Sequence, residues 1–170
     1  MNDQPHIRLQ LVSDPIYLSG ARELVGSVAK RLAFDDMECS KIALAVDEAL
    51  CNIIRHGYDR ALDKPIWISL WPMEATSDGR RTGLRIVIED EAKQVDPSTL
   101  KGRDLADIKP GGLGVYIIKE VMDSVSWESR ESGGMKLTMT KRPSSDGRST
   151  PGGAACGAGS DDGPDGGRTI

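Results

Sequence analysis

The sequence is short of the features that mark secreted, membrane-spanning and nucleic-acid-binding proteins. Its three cysteines, Cys39, Cys51 and Cys156, form no CxxC or Cys/His cluster, so neither a disulfide framework nor a zinc site is indicated. No stretch approaches the roughly 20 apolar residues of a membrane span, and the start of the chain lacks the basic and apolar regions of a signal peptide. The net charge of −4 gives no attraction to nucleic acid or anionic lipid. We therefore expect a cytoplasmic protein that binds neither nucleic acid nor membrane.

The composition changes near the C-terminus. Residues 143–170 hold eight of the nineteen glycines, and Ile170 is their only large apolar residue. Such a segment buries too little apolar surface to offset its ordering entropy. The sequence thus predicts one domain over residues 1–142 and a disordered Gly/Ser/Asp-rich tail over residues 143–170.

Hydrophobic periodicity predicts a strand and two helices in the first third of the chain. Apolar residues alternate from His6 to Val12, as in a half-buried strand. Helical spacing follows from Leu18 to Leu32, with Ser19 as the expected N-cap. Phe34 to Ser40 is acidic and turn-prone, and a second helical pattern runs from Ile42 to Gly57, where glycine is a natural stop.

The remainder of the domain predicts two hairpins around one further helix. Asp78-Gly79 is a strong turn pair, and Ser132-Gly133-Gly134 supplies the second turn. A long polar segment separates the first hairpin from the helix, and its length indicates a functional loop. The fold class is therefore α+β, a two-layer sandwich with helices on one face of a mixed, mostly antiparallel sheet. The predicted segments are the strands Ile66–Trp71 and Leu84–Glu89, the loop Asp90–Pro110, a helix opening at Gly111, and the strands Ser124–Glu128 and Met135–Thr140.

Glu48 and Asn52 lie four residues apart in the second predicted helix. They therefore project from one face, one turn apart. An amide oxygen is a suitable ligand for Mg²⁺, which takes few protein ligands and completes its shell with water and phosphate. A carboxylate one turn away can deprotonate a nucleophile near the same phosphate. Taken alone, the pair also fits an ordinary solvated helix face.

Two more elements carry candidate binding groups. Asp90 stands at the end of a predicted strand, where a carboxylate can accept a hydrogen bond from an adenine amino group, although aspartate there is commonly a turn residue. In Gly111-Gly112-Leu113-Gly114 the glycines let the backbone approach an anion as a helix begins, and its amides and positive dipole end suit a triphosphate. Each feature is weak alone, and the ordered combination is specific.

In this order the motifs resemble the nucleotide-binding boxes of the GHKL ATPase and kinase superfamily, whose fold is of the Bergerat type. Within it, the segments Asp47 to Tyr58 and Gly111 to Asp123 most resemble the anti-sigma factor serine/threonine kinases of the RsbW and SpoIIAB type. The likeness covers roughly Ile7 to Lys141. It implies an ATP- and Mg²⁺-dependent protein serine kinase that phosphorylates a STAS-domain anti-anti-sigma protein and sequesters a sigma factor.

The resemblance also implies roles for individual positions. Glu48 matches the catalytic base, Asn52 the Mg²⁺ ligand and Asp90 the adenine-binding aspartate. The segment Lys93 to Pro110 matches a lid over the nucleotide. Further nucleotide contacts fall on Arg55, His56, Gly111, Gly112, Leu113 and Gly114.

Two positions concern the partner surface and a departure from the family pattern. Arg22 on the first helix resembles an arginine in the partner-facing region, and a homodimer is among the expected assemblies. Where the family has glycine two residues after the strand-end aspartate, this chain has Ala92. Alanine adds a methyl group and restricts the backbone where glycine would tolerate a positive φ, so this position bears on nucleotide affinity.

Three other functions compete with the kinase. A self-contained histidine kinase needs a phosphoaccepting histidine on a preceding dimerisation helix, and neither His6 nor His56 is so placed, which leaves open only a histidine-kinase fragment that acts in trans. An ATPase coupled to conformational change would need transducer domains beyond this short chain. The remaining alternative is a non-catalytic ATP-binding module that binds a partner, which Ala92 favours and Glu48 disfavours.

Overall fold

The computed structural model describes residues 4–74, 81–96 and 113–144. Five strands and three α-helices lie in these ranges. A short 3-10 turn, Pro15–Tyr17, precedes the first helix, and one π-helical turn, Ile53–Gly57, continues the second. In chain order the elements are β1 Ile7–Val12, α1 Leu18–Arg31, α2 Asp36–Asn52, β2 Pro65–Glu74, β3 Arg81–Asp90, α3 Leu113–Val121, β4 Ser124–Ser129 and β5 Met135–Lys141.

The strands form a single sheet in the order β1-β2-β3-β5-β4. Every pairing among the described strands is antiparallel. Alternate residues of the strands face the helices, because successive side chains of a strand point to opposite faces. The α+β sandwich and the mostly antiparallel sheet predicted from the sequence are confirmed. The buried residues of the three central strands on this face include Ile66, Ile68, Leu70, Leu84, Ile86, Ile88, Leu137 and Met139.

The core fills the space between this sheet face and the helices. Helices α1 and α2 pack against each other, and α3 packs against α2. Their inward sides carry small and branched residues that are almost fully buried, which allows close helix packing. Within the described ranges, no helix is both long and apolar enough to cross a membrane. The most deeply buried helical residues are Val25, Ala29, Ile42, Ala45, Val46, Leu50 and Ile118.

The start of α2 differs from the prediction. Phe34 to Ser40 was expected to form a turn-prone connection, but the helix already begins at Asp36. A capping box explains the early start: Asp35 Oδ1 accepts from the Glu38 amide at 2.7 Å, and Glu38 Oε2 accepts from the Asp35 amide at 3.1 Å. Both helix-end amides are thereby satisfied. The acidic residues that suggested a loop form the helix N-terminus.

The N-cap predicted for α1 is also wrong. Ser19 lies inside the helix, and the N-cap position belongs to Tyr17, which makes no side-chain capping bond. Asp14 caps the preceding 3-10 turn instead, accepting from the Ile16 amide at 3.0 Å. The 3-10 turn leads directly into α1, so the chain is already helical when it reaches Ser19.

The two predicted hairpins are present. Strands β2 and β3 pair with each other, and so do β4 and β5. The turn pair Asp78-Gly79 lies outside the described residues. In the second hairpin Gly133 and Gly134 adopt φ of 91° and 84°, a left-handed backbone that glycine reaches without steric cost.

Ala33, between α1 and α2, has a left-handed backbone conformation. Its φ is 67°, where a Cβ costs about 1–2 kcal/mol. We expect Ala33→Gly to raise the free energy of unfolding by about 0.5–1 kcal/mol, since the relief exceeds the added unfolded-state entropy. Urea denaturation would measure the change. Ala43→Gly, inside α2, is the matched control and should lower stability by about 0.5–1 kcal/mol. A loss of stability in both variants would contradict the prediction.

Candidate nucleotide site

The polar end of α2 is the first component of the site. Glu48 and Asn52 occupy its last two turns and are half-buried. Neither side chain makes a hydrogen bond or ion pair within the described part of the chain. A half-buried carboxylate and amide with no partner in these ranges can bind a ligand, because leaving such groups unsatisfied costs free energy.

The first turn of α3 lies directly on this pair. A Cβ built on Gly114 would be 2.6 Å from Glu48 Oε2 and 3.2 Å from Asn52 Nδ2. A side chain at this position would therefore displace the Glu48 carboxylate and the Asn52 amide. The structure brings Glu48, Asn52 and Gly114 together. Gly111 and Gly112 lie outside the described residues.

The π-helical turn Ile53–Gly57 carries the next two predicted residues. A π turn contains one residue more per turn than an α-helix and is often found at functional sites. Arg55 and His56 lie on it, and both are exposed. Both also border the cleft described below.

Asp90 ends β3 on the sheet face that meets the helices, and only 4% of its surface is exposed. Its Oδ1 accepts hydrogen bonds from the backbone amides of Ala92 at 2.8 Å and Met135 at 3.1 Å. Within the described residues Oδ2 accepts none. One carboxylate oxygen is thus fixed by the protein, while the other is available to a ligand.

These groups line one cleft of about 490 Å³. Its walls are mostly apolar, with a few polar groups between them, which is the usual composition of a small-molecule site. Seven predicted residues border it: Glu48, Asn52, Arg55, His56, Asp90, Leu113 and Gly114. The sequence interpretation did not identify the apolar walls, which include Ile53, Val95, Val115, Ile118, Trp127, Met135 and Leu137. Strand alternation could have indicated Trp127 and Met135, but their approach to Asp90 depends on strand order.

Ala92 is accommodated without backbone strain. The non-glycine residues with positive φ in the described ranges are Ala33, Asp59 and Arg60, so alanine at position 92 adopts an ordinary conformation. Its methyl group packs against Gly57, where a Cβ would lie 2.8 Å from that of Ala92. Because Gly57 has no side chain, there is room for the methyl group of Ala92 at the position where the family has glycine.

Arg22 does not border the cleft. It lies on α1 with 45% of its side chain exposed, 3.5 Å from Asp47 on α2. Asp47 precedes Glu48 in the chain, so this ion pair connects the α1 surface to the helix that carries the candidate base. An exposed pair of this kind contributes little to stability.

Burial raises the pKa of Asp90 above its ordinary value of 3.8, opposed by the two amide hydrogen bonds and by Arg130. We therefore expect its carboxyl to titrate above 3.8 in a carbon-detected NMR titration. Because the folded-state pKa is the higher one, the stability that this group contributes is complete below the unfolded pKa and is lost as pH rises through the folded pKa. Asp36, whose pKa is lowered by its hydrogen bond to Lys30, is the internal control. Titration of Asp90 at or below Asp36 would contradict the expectation.

Fold and cleft together define a nucleotide-binding domain with an antiparallel sheet, helices on one face and a ligand site between helix and sheet. A family model described as the histidine kinase-like ATPase domain matches residues 11–141. The chain belongs to this family of ATP-binding domains.

The chain is also similar to named serine kinases. It is 29% identical to the serine-protein kinase RsbW of Halalkalibacterium halodurans over 135 residues, which cover 74% of this chain and 75% of the relative. It is 28% identical to the same-named kinase of Listeria monocytogenes, with 79% and 85% covered. These relatives confirm the predicted enzyme class, a protein serine/threonine kinase, and the resemblance stated above.

A solved structure supports the fold. The RsbU and RsbW domains of a Mycobacterium tuberculosis protein superpose with a TM-score of 0.52 at 17% sequence identity, over 81% of this chain and 33% of that one. At this identity the similarity concerns the fold alone.

Proposed function

We propose that this chain is an ATP-dependent anti-sigma factor kinase that phosphorylates a serine of a STAS-domain anti-anti-sigma protein and sequesters a sigma factor. The observation that carries the proposal is the pair Glu48 and Asn52, which lie half-buried beneath the N-terminal turn of α3 and have no side-chain partner among the described residues. A structural role for these polar groups would require partners within the fold. The kinase names of the relatives agree with the proposal.

In the proposed reaction the serine hydroxyl of the partner attacks the γ-phosphorus of ATP. A bond forms between the serine oxygen and phosphorus, the bond from phosphorus to the bridging oxygen breaks, and ADP leaves. Glu48 takes the hydroxyl proton. The Glu48 carboxylate lies against Gly114 in the first turn of α3, and a helix N-terminus suits phosphate, which supports this role. Phosphoryl transfer depends mainly on such positioning and on charge stabilisation.

Asn52 holds Mg²⁺ in this proposal. Mg²⁺ prefers oxygen ligands, retains water and uses substrate phosphates for much of its shell, so one amide oxygen fits it as the protein ligand. The Asn52 side chain has no partner among residues 4–74, 81–96 and 113–144, which supports the assignment. When bound, the ion neutralises charge that develops on the phosphates. Arg55, His56 and the segment Gly111–Gly114 are proposed to contact the same phosphates.

The adenine base is proposed to lie at the other polar group, Asp90. The free oxygen Oδ2 accepts from the adenine amino group, while the apolar walls cover the faces of the ring. Met135 and Trp127 are among these walls. A buried carboxylate discriminates well between nucleotides, because a base that lacks the donor leaves it unpaired.

The partner proteins are proposed to contact the surface around Arg22. This residue is exposed, and its ion pair with Asp47 lies beside the helix that carries Glu48. A partner that contacts Arg22 would thus lie next to α2, the helix that carries Glu48 and Asn52. The homodimer, the cytoplasmic location and the division into a domain over residues 1–142 and a tail stay predictions.

A transfer assay tests the proposal. The purified chain is incubated with labelled ATP, Mg²⁺ and a STAS-domain protein encoded beside it, and the substrate is examined for phosphoserine. Formation of phosphoserine that depends on Mg²⁺ supports the kinase. Binding of ATP without transfer to any STAS candidate would replace it with the non-catalytic binding module. Absence of Mg·ATP binding would exclude both functions.

A further inference from the structure

The peptide unit that joins Asp90 to Glu91 is held on both sides by side chains from distant parts of the chain. Its carbonyl oxygen accepts a hydrogen bond from Nη1 of Arg130, which follows β4. Its N–H donates to Oη of Tyr58, which follows the π-helical turn, at 2.7 Å. Both polar groups of one peptide thus have side-chain partners, and neither partner belongs to β3.

Each of the two side chains is itself anchored. The Tyr58 hydroxyl uses its single proton to donate to the carbonyl of Pro65 at 2.6 Å, so it joins the end of α2 to the start of β2 and the end of β3. Arg130 Nε lies 3.3 Å from Glu89 Oε1, and the guanidinium lies 5.4 Å from the ring centre of Trp67. With 20% of its side chain exposed, Arg130 has little freedom to move.

The carboxyl group of Asp90 completes the arrangement. Oδ1 is bound by two backbone amides, so once the peptide is fixed the carboxyl plane is fixed as well. The remaining oxygen, Oδ2, is the one that the proposed function assigns to the adenine amino group. Its direction into the cleft therefore depends on how the Asp90–Glu91 peptide is held.

We propose that Tyr58 and Arg130 are positioning residues for the nucleotide base, which clamp the Asp90–Glu91 peptide so that Oδ2 meets the adenine amino group. The inference rests on the proposed function, since it takes Asp90 to be the base-binding residue. Neither side chain borders the cleft. They act on the nucleotide only through Asp90.

Selectivity for the amino group separates positioning from a general structural role. Purine riboside triphosphate has the same phosphates and sugar as ATP but hydrogen in place of the amino group. Loss of the clamp should weaken ATP binding and leave the analogue almost unaffected. A variant that merely destabilises the fold would weaken both nucleotides equally or neither.

The experiment measures dissociation constants of both Mg²⁺-nucleotides by calorimetry for the wild type, Tyr58→Phe, Arg130→Met and Arg130→Lys. The wild type should prefer ATP by about tenfold, the value of a hydrogen bond to a charged group. In Tyr58→Phe and Arg130→Met the ATP constant should rise about fivefold, while that of the analogue changes by less than about twofold. Arg130→Lys keeps a donor and the charge, and should recover part of the preference.

Tyr17→Phe and Arg31→Met, at exposed positions on and before α1, are the matched controls and should keep the wild-type preference. If Arg130→Met does not fold, Tyr58→Phe decides, because it removes only the hydroxyl. An unchanged tenfold preference in folded Tyr58→Phe would overturn the clamp and leave the kinase proposal intact. If the wild type binds ATP without preferring it to the analogue, Asp90 is not the base-binding residue, and the proposed role of Tyr58 and Arg130 is wrong. A wild type that binds neither nucleotide would contradict the proposed function itself.

Discussion

Glu48→Gln is expected to lower the rate of serine phosphorylation by about 10²- to 10⁴-fold, the contribution of a general base. Glutamine has nearly the same shape, so it should keep the packing against Gly114, but it cannot take the hydroxyl proton. ATP affinity should change little, because the base acts in the transition state. Single-turnover transfer from labelled ATP to the STAS protein measures the rate, and calorimetry measures the affinity.

Glu120→Gln is the control for this substitution. Glu120 is exposed on α3 and does not border the cleft, so its variant should transfer phosphate at the wild-type rate. A Glu48→Gln protein that keeps its rate within about threefold would show that no base of the predicted size acts at this position. A large loss in both variants would assign the effect to surface charge.

Gly134→Ala is expected to lower the free energy of unfolding by more than about 4 kcal/mol, a size reserved for severe structural conflicts. A Cβ at this position would overlap the Asp90 carbonyl oxygen and lie 2.6 Å from the Asp90 carbonyl carbon and 2.7 Å from Glu91 Cα. These are backbone atoms at the end of the central strand β3, which cannot move aside as a flexible side chain can. Urea denaturation measures the loss.

Gly133→Ala is a matched control one residue away. Gly133 has almost the same φ, 91° against 84°, but no atom lies within 4 Å of its built Cβ. Its variant should lose only the conformational term of about 1–2 kcal/mol. The difference between the two variants therefore isolates the contact with the Asp90–Glu91 peptide. Equal losses would mean that the backbone at Gly134 relaxes away from that peptide.

Sequence periodicity predicted those parts of the fold and site that depend on neighbours along the chain. The spacing of Glu48 and Asn52 implied one helix face, and strand alternation implied the sheet surface that faces the core. The spacing of Asp35 and Glu38 also fits a capping box, but the acidic segment that contains them was interpreted as a turn. The start of α2 was misplaced for that reason.

Contacts between distant segments could not be derived from the pattern. Met135 reaches Asp90 across 45 residues, and Tyr58 reaches Glu91 across 33. Both contacts depend on strand order and register, which periodicity alone does not determine. The proximity of Asp90, Gly114 and the end of α2 was inferred from the family resemblance, and no local pattern would have predicted the role of Arg130.

The strand order has a consequence for how the protein is made. Strand β5 is the last strand of the domain, yet it lies between β3 and β4 and supplies the Met135 amide to Asp90. A ribosome releases the chain from its N-terminus. Strand β3 can therefore pair with β5, its second neighbour, only after almost the whole domain has emerged. Such non-local pairing also slows folding. A nascent chain therefore cannot complete the end of its cleft that holds Asp90 until β5 has emerged.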